Sequence, residues 1–259
     1  MAAPGQNGGG RTDRPAPLVE HLEELRRRII WSLIASAVGI AVGWVFVGRL
    51  YRWLAAQAPQ ELTALSPTEV FMVQFHMGVI AGLVLASPVI LYQIIAFILP
   101  ALTPQEKRYL FTLLPAGILL FVLGVLFGYF VVFRASLRFF VEFTAASNTQ
   151  MFLTPRTYFN LILRITVPLG IAFELPVAVY LLAQLGILSG TLLIRLRKFA
   201  IVGVLILAAF LSPGPSVIDQ LTMAVPLLLL YQLSVWIALW VERRRLRSPA
   251  AGGSPAARP

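Results

Sequence analysis

Apolar residues run in six blocks along the chain, at about 29–50, 70–99, 108–134, 157–186, 198–211 and 217–240, with short polar connectors between them. Several blocks exceed the roughly 20 apolar residues that an α-helix needs to cross a bilayer. The pattern predicts an all-α integral membrane protein with six transmembrane helices. The second and fourth blocks would reach roughly 45 Å as straight helices of about 30 residues. They must tilt, bend or project beyond a hydrocarbon core of roughly 30 Å. The fifth block, Lys198 to Leu211, would reach only roughly 21 Å. With the sixth it predicts two short C-terminal spans. Pro88, Pro115, Pro168, Pro176 and Pro226 fall inside the apolar blocks, where a missing N–H kinks a helix. Long bent helices beside short ones predict a concave bundle.

The positions of the cations orient the bundle. An even number of spans puts both termini on one side, and fifteen Lys/Arg residues lie in the tails and connectors of that side against five in the opposite loops. The positive-inside rule makes both termini cytoplasmic. The first 28 residues are mostly polar and do not resemble a cleavable signal peptide, so the first span is expected to be retained. Residues 1–17 and 242–259 read as disordered cytoplasmic tails, the second of them basic, around a membrane domain at 18–241. No internal repeat is visible.

Composition agrees with this and removes alternatives. The chain is 58% hydrophobic and 12% charged, with mean hydropathy +0.82. The net charge of +10 would suggest nucleic acid if it were clustered on a soluble face, but the arginines sit in connectors and tails. There is no cysteine, and His21 and His76 are far apart in the chain. No metal site, cofactor or phosphate-binding loop is expected, and no catalytic nucleophile is visible.

Two polar stretches stand out against this background. In "LVEHLEELRRRII", residues 18–30, an amphipathic helix continues into the first span, and Glu24 ahead of Arg28 is the favourable order for a helix pair. In "SPVILYQIIAFILPALTPQEKRYL", residues 87–110, Pro100 and Pro104 turn the chain and leave Glu106 beside Lys107 and Arg108. Two acidic sites then share an otherwise basic membrane face. Paired carboxylates there suit a cationic ligand such as a guanidinium, which a carboxylate can hold in bidentate fashion.

"HLEELRRR" at 21–28, "PVILYQIIAFILPAL" at 88–102 with an acid four residues on, "FELP" at 173–176 and "SPGPSVIDQLTMAVPLLLLYQ" at 212–232 together resemble the TatC family, in order, over about residues 18–241. The family is the multispanning receptor of the twin-arginine translocase in the cytoplasmic membrane. The resemblance implies export of folded proteins driven by the proton motive force, with single-span partners of the TatA and TatB type and assembly as a homo-oligomer within a larger complex. It implies no enzymatic activity. It also implies a cytoplasmic site for twin-arginine signal peptides, with Glu24 and Glu106 receiving the arginine pair. Phe97 would pack beside that pair, and Arg26 and Arg28 would support the acids. The family's later acid is replaced here by Ser216, with Gln220 four residues on and Asp219 displaced to the position before it. Ser216, Gln220 and Met223 are the expected partner-binding positions.

Glu174 lies near the centre of the fourth block. An ionised carboxylate in lipid is expensive, so it should face protein or a water-filled groove. It is expected to line a hydrated recess on the concave face. Glu174 and Arg164, both inside a span, also sustain a different reading, a proton-coupled secondary transporter. The absence of repeats and the few buried polar groups weigh against it.

Overall fold

A computed structural model describes residues 17–98, 104–147, 149, 151–212 and 216–247, with side chains over 21–97, 113–147, 149, 151–212 and 216–244. The expectations for residues 1–16 and 248–259, and for the turns at 99–103 and 213–215, lie outside the described residues. The helices are α1 (Pro17–Ala55), α2 (Pro67–Ile98), α3 (Pro104–Phe127), α4 (Arg134–Ala146), α5 (Pro155–Ala172), α6 (Leu175–Gln184), α7 (Gly190–Arg195), α8 (Arg197–Leu211) and α9 (Val217–Arg247), with a π-helical turn, Gly128–Phe133, joining α3 to α4.

Four of these helices, α1, α2, α3 and α5, open on a proline. At the first helical position its missing N–H leaves nothing unpaired, and its fixed φ already suits the helix. Thr154 and Ser189 cap α5 and α7, accepting from the amides of Thr157 and Leu192 at 3.2 and 3.1 Å. Such caps satisfy donors that the first turn would otherwise leave free.

α1 and α2 form an antiparallel pair whose backbones nearly touch. Gly39 and Gly43 on α1 face Gly78 and Gly82 on α2, each couple four residues apart. A Cβ on Gly43 would lie 2.7 Å from the Gly82 nitrogen and 2.8 Å from the Gly78 oxygen. Without such small residues the helices could not approach this closely, which is how helices associate where lipid removes the usual hydrophobic drive. α3 crosses α5 in the same manner. There a Cβ on Gly124 would meet the Leu169 carbonyl at 2.8 Å.

The main core gathers between these pairs. Tyr158, Phe159, Phe133, Met77, Ile165 and Met223 are each at most 2% exposed. The wider turn of the π-helical segment brings Tyr129, Val132 and Phe133 into this cluster, a local expansion typical of π-bulges.

Five helical stretches are long and apolar enough to cross a membrane: His21–Ala55, Pro67–Phe97, Leu113–Ala146, Pro155–Gln184 and Val217–Arg244. Four features differ from the sequence expectation. α8, the expected fifth span, is as short as expected at 15 residues and is not among these five stretches. The sixth block is not short: α9 has 31 residues, because Glu, Arg and Leu after Val241 are strong helix formers. Its helix therefore runs past the domain boundary at 241. The third block continues as helix to Ala146, since α4 is amphipathic and polar residues end the apolar run without ending the helix. The fourth block breaks at Phe173–Glu174, with Pro176 in the first turn of α6.

Candidate functional site

The α1–α2 pair places its most polar contacts at the start of α1 and the end of α2. His21, Glu24 and Arg28 are spaced three and four apart and share a helix face. Gln93 and Phe97, four apart, face them from α2. Arg28 Nη2 lies 3.2 Å from Glu24 Oε1, and its Nη1 donates to Gln93 Oε1 at 3.1 Å. Gln93 is 9% exposed. The rings of His21 and Phe97 stack with centroids 4.4 Å apart and planes 24° apart.

The structure therefore brings Glu24, Arg28 and Phe97 together. Arg26 is exposed on another face of α1. Glu106 is the third residue of α3, and its side chain lies outside the described residues. Sequence reasoning missed His21 and Gln93. A Gln inside the apolar run "LYQII" was the available signal, because an amide at that depth needs an interhelical partner.

Glu24 keeps 27% of its side chain exposed while one oxygen engages Arg28. An ionised carboxylate has about four lone-pair sites, so capacity remains for a further cationic donor. This is the one ion pair within 4.0 Å among the described residues. It is linked to a side-chain amide and flanked by a stacked aromatic pair. Such a site can accept a guanidinium by exchanging Arg28 for the incoming group.

Glu174 sits at the break between α5 and α6, at the N-cap of α6. A Cβ on Gly117 of α3 would lie 3.3 Å from its Oε2, so the carboxylate rests against bare backbone. Both carboxylate oxygens are buried, without a hydrogen-bond partner among the described residues. The side chain is thus closed in between helices rather than open to a recess. Arg164 donates from Nη2 to the Phe210 carbonyl at 2.8 Å, on α8 and far from Glu174 along its own helix.

At the start of α9, Ser216 Oγ accepts from the Ile218 amide at 3.2 Å, as a capping serine does. Gln220 Nε2 donates to the Leu205 carbonyl at 3.0 Å. Met223 has no exposed surface, so it faces the core and not a docking partner. Asp219 also points inward at 1% exposure, with Oδ2 unpartnered among the described residues.

The family model described as Sec-independent protein translocase protein (TatC) matches residues 20–226. A Sec-independent protein translocase protein TatC from Carboxydothermus hydrogenoformans is 41% identical over 233 residues, covering 89% of this chain and 96% of that protein. The TatC protein of Aquifex aeolicus is 38% identical over 238 residues, covering 88% of this chain and 97% of its own length. Among solved structures, a crystal structure of the twin-arginine translocase receptor TatC matches with a TM-score of 0.77 at 38% identity, covering 86% of this chain and 100% of that one. With most of its length matched in both sequence and fold, this chain belongs to the TatC family of Sec-independent protein translocases and is a multi-pass protein of the cytoplasmic membrane.

Proposed function

We propose that this chain receives twin-arginine signal peptides at the end of the bundle formed by the start of α1 and the end of α2. The observation that carries the reading is the Glu24–Arg28–Gln93 chain beside the His21–Phe97 stack. Glu24 accepts one substrate guanidinium, and Glu106, at the opening of α3, accepts the other. Phe97 offers a ring face on which a planar guanidinium stacks. Arg28 holds Glu24 in place until the ligand arrives. Purified protein should bind a twin-arginine peptide, and that binding should vanish when both peptide arginines become lysine. Equal affinity for the two peptides would remove the assignment.

In this reading α8 is the fifth of six spans despite its length, both termini are cytoplasmic, and long and short helices together make a concave body. Single cysteines placed near residues 192 and 60 separate the sides. An impermeant reagent added to intact cells should label the second and spare the first, and labelling at 192 would overturn the topology. Single-span partners of the TatA and TatB type meet the outward flank of α9 beside Gln220. Val217, Leu221 and Val225, each at least 50% exposed, form that flank in place of the buried Met223.

A further inference from the structure

Arg164 occupies an unusual depth. It lies nine residues after Pro155, roughly 13 Å along α5, inside a stretch apolar enough to cross a membrane. Its bond to the Phe210 carbonyl joins it to the last turn of α8, where carbonyls have no helical partner. The guanidinium therefore stands level with the end of α8. At 15 residues that helix is roughly 22 Å long, short of a hydrocarbon core of roughly 30 Å. Lipid beside so short a span thins until its polar boundary meets the helix end. Arg164 is thus at the local headgroup level, more than two turns below the start of its own helix.

Above it, α5 faces α4 across a recess of about 490 Å3, lined among others by Leu137, Phe140, Thr157, Asn160, Leu161 and Arg164. Thr157, Asn160 and Arg164 are exposed and lie three and four residues apart on one face of α5. The Thr157 hydroxyl accepts from Thr154 at 3.1 Å, which leaves its own O–H free to donate. Asn160 has no hydrogen bond among the described residues, and Arg164 has only the one to Phe210. No acidic side chain lines the recess among the described residues. The site offers one permanent positive charge and several neutral donors; Glu69 lines the adjoining recess with Thr157 and Asn160, where its carboxylate accepts from the amides of Leu65 and Arg156.

We propose that this recess binds the phosphate headgroup of an anionic phospholipid. Arg164 supplies the charge, Asn160 and Thr157 donate to the remaining phosphate oxygens, and Leu137, Phe140 and Leu161 meet the first methylenes of the acyl chains. A guanidinium fork fits a phosphate better than it fits water at this depth. The inference rests on the topology proposed above, in which α8 is a span and this leaflet is the outer one. It is independent of the peptide site.

Native mass spectrometry of the full chain, titrated with phosphatidylglycerol and with phosphatidylcholine, tests it. Phosphatidylglycerol should bind with a preference of about fivefold, the effect of one cation on an anionic lipid. Asn160→Leu and Arg164→Gln should each reduce that preference. Arg164→Gln also loosens the end of α8, so Asn160→Leu, which breaks no bond in the fold, decides the matter if the first variant misfolds. Equal binding of the two lipids, or a preference unchanged in Asn160→Leu, would overturn the proposal. Displacement of phosphatidylglycerol by soluble glycerol 3-phosphate at similar concentration would make this a site for free phosphate esters instead. A photo-crosslinker at Leu161 should yield lipid adducts in cells, and an adduct with a single-span protein would overturn the lipid assignment.

Discussion

The two ends of the α1–α2 pair are joined by different kinds of acceptor. Where α1 ends and α2 and α5 begin, polar side chains mostly bind the main chain of distant segments. Tyr158 donates to the Leu54 carbonyl at 3.1 Å, and Gln60 to that of Met151 at 2.6 Å. Glu69 accepts from the amides of Leu65 and Arg156, both at 2.9 Å. At the opposite end of the α1–α2 pair, the described contacts run from side chain to side chain: Arg28 to Glu24, Arg28 to Gln93, and His21 on Phe97. A main-chain acceptor is fixed by its helix or loop. A side-chain partner can rotate away at the cost of one rotamer change. The first end is built as a fixed cap, and the second is built so that an incoming group can replace an internal one. In the proposed orientation the cap is outside and the exchangeable end faces the cytoplasm, where signal peptides arrive.

The largest effect should come from the crossing on which both ends depend. Gly43→Leu would drive a side chain into the backbone of Gly78 and Gly82, less than 3.0 Å away, and neither helix can yield locally. Overpacking usually costs about 1–3 kcal/mol, and more where backbone must move. We expect loss of folded protein in detergent and loss of peptide binding together. Gly48→Ala on the same helix, where a Cβ meets nothing within 4 Å, should change neither. A Gly43→Leu protein with wild-type melting temperature and peptide affinity would show that the ends do not rely on this crossing.

Next comes a pair of variants that should separate the ends. Glu24→Ala removes the proposed acceptor of a substrate guanidinium, and loss of such a desolvated contact costs on the order of 2–5 kcal/mol. Peptide affinity should fall tenfold or more while the melting temperature hardly moves, because the Glu24–Arg28 pair is partly exposed and surface pairs add about 0–1 kcal/mol. Tyr158→Phe should do the reverse. It removes one of two donors to the Leu54 carbonyl, which keeps the Gln57 amide at 3.0 Å, a loss of about 0.5–1.5 kcal/mol in stability, with peptide affinity unchanged. Both variants can be followed by thermal unfolding in detergent alongside peptide titration. If Tyr158→Phe weakens peptide binding as much as Glu24→Ala does, the two ends are coupled and the contrast drawn above fails.

Much of this contrast was present in the chain but only part of it was legible. The apolar blocks and the brevity of α8 follow from runs of side chains that need no partner to interpret. The α1–α2 contact follows from two Gly-x-x-x-Gly spacings, 39–43 and 78–82, which the block pattern hides because Gly interrupts no apolar run. The block pattern stops short of α4 because Arg138 and Glu142 end the apolar run, although Phe139, Phe140 and Phe143 continue a helical face. At the candidate site the family resemblance implies Glu24, Arg26, Arg28 and Phe97 alike, whereas in the structure Arg26 turns to another face of α1. Gln93 carries a signal as an amide within an apolar run, but its partner Arg28, and the place of His21 against Phe97, follow only from α1 and α2 lying side by side. Met223 shows the same limit: composition marks it as apolar in a span, and only the rotation of α9 decides between core and lipid.

The smallest effect concerns Gln220. Its Nε2 donates to the Leu205 carbonyl at 3.0 Å. Leu205 lies inside α8, where its carbonyl also has the helix's own i+4 donor. Removing the glutamine therefore leaves no acceptor stranded. Gln220→Leu should cost only the low end of the about 0.5–1.5 kcal/mol of an ordinary hydrogen bond, a shift of few degrees in melting temperature. Its effect on partners is more informative than its size. If Gln220 serves only the α8–α9 contact, recovery of TatA- and TatB-type partners with the purified chain should be unchanged. Leu221→Asn, on the exposed flank one residue further on, should reduce that recovery with no loss of stability. Reduced recovery in Gln220→Leu alone would mean that the glutamine releases Leu205 to bind a partner helix. The start of α9 would then belong with the exchangeable end of the molecule, although in the proposed topology it lies at the other side of the membrane.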